Sequence, residues 1–185
     1  MYCFIFVYSL QSSSSLSVFH SSFDSNALES YINDKREYFP FNTSVALLPE
    51  SAECIVEDAM YQDIQNNVIR LAGDHQCKRI VIGSSCFDSI SLLIIDGLKE
   101  LETLEIREWS FTAAKSVDSI TQCGMSNKHL VIANCPKLKS IQIGHYSFSD
   151  YGSFKLESLP SLQFIDVGCD CFYWTSSFLL TGYIW

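Results

Sequence analysis

The chain has 185 residues, nearly half of them apolar, and a formal net charge of −9 from 12 Lys and Arg against 21 Asp and Glu. That length and composition suit one domain with a sizeable interior and exclude wholesale disorder. An acidic surface repels phosphate backbones, which argues against nucleic acid as a partner.

Residues 1–22 open as M-Y-C-F-I-F-V-Y-S-L and continue into a Ser-rich tract. The apolar run is far shorter than the ~20 residues needed to span a bilayer, and it has no basic n-region before it. This stretch is expected to be a disordered tail or a weak signal, and a cytoplasmic chain is favoured over a secreted one. Its Ser-rich part has too little apolar surface to offset the entropy of ordering it.

Residues 23–68 form a flanking region. Within it, 24–37 carries Leu28, Tyr31 and Ile32 at helical spacing behind Asp24 or Ser25 as a cap, which predicts a short amphipathic helix. Pro40 and Pro49 bracket F-N-T-S-V-A-L-L, a candidate strand. Asn42 in N-T-S is a glycosylation acceptor only in a secreted chain. Cys54 and Val56 read as a worn strand, the trace of a degenerate repeat.

From Ile69 onward an apolar pattern recurs with a unit of 24 residues, as from Ile80 to Leu104. One pair of alternating apolar residues is Ile69/Leu71, Leu93/Ile95, Leu130/Ile132, Phe154/Leu156 and Phe178/Leu180. A second is Ile80/Ile82, Leu104/Ile106, Ile141/Ile143 and Ile165/Val167. Pairs of period two, rich in Ile and Val, predict two short strands per unit. Too few residues separate them for a long helix. Stacked units of this kind predict a mainly β solenoid over 69–185, its strands piled in parallel and its last unit truncated.

The connections repeat too. Cys77, Leu101, Leu138 and Leu162 precede the second strand, and Gly83, Gly144 and Gly168 follow it, where a turn calls for positive φ or close backbone approach. Arg107 in the same place shows that positive φ is not obligatory. Phe87, Phe111, Phe148 and Phe172 come next, one ring per unit, as expected of a stacked core. Between Leu104 and Ile141 the spacing lengthens to 37 residues, which places an insertion loop in 112–128. Such loops often carry binding contacts.

The motif L-x-x-L-x-x-I-x-I-G-x-x-x-F, with N-C-P-K-L-K-S-I-Q-I-G and L-P-S-L-Q-F-I-D-V-G, resembles leucine-rich repeats of the BspA-like kind, in particular uncharacterised leucine-rich repeat proteins of protists. The resemblance implies stacked parallel strands that present a surface to protein or surface-glycan ligands. It carries over no catalytic residue. The Asn that such repeats place in an internal ladder appears as Asn134, with Asp96 and Ser158 taken as its equivalents.

No motif for metal, phosphate or nucleophilic chemistry is present, so no catalytic, cofactor-binding or metal-ligating residue is assigned and no cofactor is expected. His20, His75, His129 and His145 form no H-x-x-x-H, and Cys171 occupies a small-residue slot shared with Cys86, Ser110 and Ser147. The residues suited to recognition alternate outward from the second strands: Val81, Glu105, Gln142 and Asp166. Arg107, Glu108, Trp109, His145, Tyr146 and Asp170 follow those strands. The expected function is a non-enzymatic, protein-binding repeat scaffold. The alternatives are a structural fragment of a larger repeat protein and a secreted surface adhesin.

Overall fold

A computed structural model describes residues 52–61, 68–72, 76–123 and 127–182. The helix expected over 24–37, the strand between Pro40 and Pro49, Asn42, His20, His75 and residues 183–185 lie outside the described residues.

Among the described residues, ten short strands alternate between two sheets. Strands β1 (Glu53–Val56), β3 (Arg79–Ile82), β5 (Thr103–Ile106), β7 (Ser140–Ile143) and β9 (Phe164–Val167) form one sheet in that order. Strands β2 (Val68–Ala72), β4 (Leu92–Asp96), β6 (His129–Ala133), β8 (Ser153–Glu157) and β10 (Ser177–Thr181) form the other. Every pairing is parallel, and equivalent repeat positions sit side by side, as in Ile80 with Leu104 and Leu104 with Ile141. The chain is thus a flattened solenoid in which each coil contributes one strand to each sheet. Cys54 and Val56 belong to its first described strand, paired with Ile80 and Ile82.

The interior lies between the sheets. It contains the inward pairs from Ile69/Leu71 to Phe154/Leu156, and the corner residues Cys77, Leu101, Leu138 and Leu162. Toward the last coil this core thins: Ile165 and Leu180 are only partly buried, and Phe178 is exposed. At one edge the aromatic rings stack face to face, from Tyr61 on Phe87 through Phe111 and Phe148 to Phe172, with centroids 4.8–5.3 Å apart.

Of the two reasons expected for glycine after the second strand, close backbone approach holds and positive φ does not, and the reading of Asn134 needs correction. Positive φ falls on the aromatic anchors themselves, Phe87, Phe111, Phe148 and Phe172, and on Ser85, Trp109, Tyr146 and Asp170 two residues before them. Gly144 is instead demanded by close approach, because a Cβ there would lie 2.6 Å from the Glu108 amide nitrogen of the preceding coil. Asn134 is not the counterpart of Asp96: the register pairs Asp96 with Ala133, so Asn134 corresponds to Gly97. Gly97, Asn134, Ser158 and Gly182 all have positive φ at the equivalent bend. The exposed Asn134 side chain donates to Asp96 across the coil at 2.9 Å and does not enter the interior.

The insertion differs as well. It holds a short helix, α1 (Val117–Cys123), whose Ile120 is buried. Trp174 donates its indole N–H to the Ile120 carbonyl at 2.7 Å. Near the far end of the insertion, Lys128 pairs with the buried Asp150 at 2.8 Å. A loop was expected to emerge; this one is folded back and tied at several points.

A candidate interaction face

Side chains that alternate with the core residues of β1, β3, β5, β7 and β9 point away from the solenoid. Register aligns them in two rows across the sheet. One runs Glu53, Arg79, Thr103, Ser140, Phe164; the other runs Ile55, Val81, Glu105, Gln142, Asp166. The recognition residues expected at Glu105, Gln142 and Asp166 therefore share one row, while Val81 in the same row is buried.

Beside that row lies an open depression of about 480 Å³. Glu105, Gln142 and Asp166 line it from the strands, and Arg107, Glu108 and His145 line it from the turns that follow. Ser84 and Cys169 complete the rim at the positions equivalent to Glu108 and His145, which the repeat spacing could have supplied. Gly144 and Gly168 also line it, where the backbone of successive coils is in close contact. None of the lining residues comes from the insertion.

Fixed charges cross the face. Arg79 reaches Glu105 at 2.9 Å and Glu53 at 3.8 Å, and Arg107 reaches Glu105 at 3.4 Å and Asp58 at 3.7 Å. Each of these groups is partly solvated, so the pairs order the side chains more than they stabilise the fold. His145 is held in place because its Nδ1 accepts the Cys169 amide N–H at 2.8 Å. Trp109 and Tyr146, next in sequence to Glu108 and His145, stack with centroids 4.3 Å apart and give a half-exposed aromatic ledge. Asp170, expected on the same edge, has positive φ in the turn and does not line the depression.

Under the rings runs a polar ladder. The Ser110 hydroxyl donates to the Gly83 carbonyl at 2.6 Å and accepts the Cys86 amide, and Ser147 does the same with the Arg107 carbonyl and the Ser110 amide. Cys86 and Cys171 donate their thiols to the Glu57 and Gly144 carbonyls at 3.1 and 3.0 Å. Burial pushes the Cys171 thiol up to about 12, which keeps its proton in place for that bond. The slot read from sequence as merely small is thus a hydrogen-bonding position that links coil to coil. Cys169 is disulfide-bonded, whereas Cys54, Cys77, Cys86, Cys123, Cys135 and Cys171 are free.

The arrangement offers charge, hydrogen-bonding groups and an aromatic surface. Cys77 is drawn down to about 7 by its hydrogen bond with Cys54, but at 1% exposure it faces the interior and no solvent. Among the described residues no group of three or more His, Cys, Asp or Glu side chains is placed to hold a metal ion. No helix there is long and apolar enough to cross a membrane. Comparison of the chain with protein-family models, with curated proteins and with solved structures finds no match.

Proposed function

We propose that the chain is a non-enzymatic leucine-rich repeat scaffold that binds another protein through the outer face of the β1–β9 sheet. The observation that carries this reading is the open depression, in which residues of three adjacent coils bring Glu105, Glu108, Asp166, Gln142 and His145 together beside a Trp109–Tyr146 ledge. Polar groups around an aromatic anchor suit protein recognition. Carboxylates outnumber the single Arg107 there, and the chain as a whole is acidic, so the partner segment is basic. The resemblance to BspA-like repeats supports the same assignment, since such scaffolds bind through their exposed variable positions.

The test is to place a photo-crosslinking residue at His145 in the full chain and identify what it captures, with and without Asp166→Arg and Gln142→Arg. Capture of a defined protein, abolished by the two charge changes and weakened by salt, is the expected result. Capture that ignores both changes would overturn the reading. Retention on a glycan in place of a protein would favour a surface adhesin.

A second reading, a structural segment that stacks on further repeats, is supported by the half-exposed core of the last coil, where Phe178 is 39% exposed. It predicts no specific capture at His145 in any variant.

A further inference from the structure

The same backbone bonds recur at each corner that leads into the β1–β9 sheet. Lys78 and Arg79 donate their amides to the Ala52 carbonyl at 2.8 and 3.1 Å. Glu102 and Thr103 do the same to Lys78, Lys139 and Ser140 to Glu102, and Gln163 and Phe164 to Lys139. Two interior positions are thereby equivalent at every junction between coils: the second residue after the acceptor, on the strand, and the residue before the two donors, at the corner of the next coil. Three junctions put branched aliphatic residues in both, namely Ile80 with Leu101, Leu104 with Leu138, and Ile141 with Leu162. The first junction puts Cys54 with Cys77.

Both cysteines belong to the core, at 2% and 1% exposure. A single cysteine in such a place acts as a small hydrophobe, as Cys135 does where other coils have Leu98 and Leu159. Replacing both members of one pair is different, because the two side chains together are much smaller than Ile with Leu and a close-packed interior has no room for the deficit. Here the two thiols meet. Cys77 donates to the Arg79 carbonyl at 3.1 Å and accepts the Cys54 thiol. That contact draws the Cys77 thiol down to about 7 and pushes the Cys54 thiol up, so the pair has one sulfur ready to lose its proton and a second, protonated, against it. Cys169 is disulfide-bonded in the same chain.

We propose that Cys54 and Cys77 are a disulfide site: oxidised by a low-molecular-weight disulfide, they form a bond across the interior that joins the first described coil to the second. The Cys77 thiolate attacks one sulfur of the small disulfide and expels the other half as a thiolate, which takes up a proton. Cys54 then gives up its proton, attacks the Cys77 sulfur of the mixed disulfide and expels the second half. One small disulfide is reduced to two thiols as two cysteines are oxidised to one bond. The sulfurs, already in contact, close to about 2.05 Å.

The exchange takes place while the first coil is open, since neither sulfur reaches solvent in the closed form. Among the described residues β1 pairs with β3 alone, so this coil is held by one neighbour and opens more readily than a coil held by two. The bond then removes that opening. The proposal stands or falls independently of what the outer face of the β1–β9 sheet binds.

The experiment equilibrates the full chain in mixtures of oxidised and reduced glutathione, blocks the remaining thiols under denaturing conditions and reads cysteine pairing by peptide mass spectrometry. A linked Cys54–Cys77 peptide that grows with the oxidised fraction and disappears on reduction, with Cys135 recovered as a blocked thiol, is the expected result. Recovery of Cys54 and Cys77 as blocked thiols at every ratio, or pairing of either with another cysteine, would overturn the proposal. Cys54→Ile with Cys77→Leu restores the residues of the other junctions and serves as the packing control. Oxidation is expected to raise the denaturant midpoint of the native chain, and to raise it less in this double variant; an equal rise in both would count against the bond. Cys54→Ile alone is expected to retain glutathione on Cys77 as an unresolved mixed disulfide, and absence of that adduct would contradict Cys77 as the attacking thiol.

Discussion

At the aromatic edge, each coil places two non-glycine residues in the left-handed region, for example Tyr146 at φ 65° and Phe148 at φ 53°. That conformation costs an L-residue roughly 1–2 kcal/mol. It is offset where the turned backbone meets the neighbouring coil, since the Phe148 amide donates to the Ser110 carbonyl at 3.0 Å while the ring stacks between Phe111 and Phe172. Sequence alone points to glycine for positive φ, so this strain was not legible; only the recurrence of the ring was. The Ser/Cys slot was half legible in the same way, its size evident from Cys86, Ser110, Ser147 and Cys171 but its bonds hidden. Removing the hydroxyl with Ser147→Ala leaves the buried Ser110 amide and Arg107 carbonyl unpaired and is expected to cost about 1–3 kcal/mol in denaturant melts. Ser147→Cys, which restores a weak donor already used at Cys86 and Cys171, is expected to cost less. Equal losses for the two variants would mean that the slot selects for size alone.

Among the elements, the strands were the most legible because the period of two and the period of 24 reinforce each other, and the insertion was the least. Ile120 is the buried residue of α1 while Val117, one turn before it, is exposed, and its partner Trp174 is 54 positions away, beyond any local pattern. The Lys128–Asp150 pair that ties the same segment down is just as remote in sequence. Ile120→Asp should therefore release α1 without dissolving the sheets. Limited proteolysis is expected to cut within 112–128 sooner in that variant while its β-type circular dichroism is retained; unchanged cleavage would show that Ile120 does not hold the segment. The burial of the outer face of the β2–β10 sheet across β4 and β6 could have been read earlier: L-L-I-I at 92–95 and L-V-I-A at 130–133 are continuous apolar runs, the mark of strands buried on both sides. Reading only the alternate residues hid it. The candidate interaction face, by contrast, was largely legible, because Glu105, Gln142 and Asp166 alternate with core residues whose repeat was already clear. What the sequence did not disclose was the depression, which depends on how closely the coils approach at Gly144 and Gly168.

For the molecule as a whole, one architecture follows from the repeat: coils stacked in parallel, each strand and each core ring packed on its counterparts in the adjacent coils, with one sheet buried on its outer side and an open, charged sheet on the other. Stability in such a stack is a sum of coil terms and nearest-neighbour terms. The Phe column makes that statement measurable, since Phe111 and Phe148 are in contact with centroids 4.8 Å apart, whereas Phe87 and Phe172 are separated by two intervening rings. A pair of double-mutant cycles with Phe→Leu, read by denaturant unfolding, tests the account most directly. The stacked solenoid predicts a coupling of about 0.5–1.5 kcal/mol for Phe111 with Phe148, and additivity within about 0.5 kcal/mol for Phe87 with Phe172. No coupling between Phe111 and Phe148, or an equal coupling in both pairs, would contradict it.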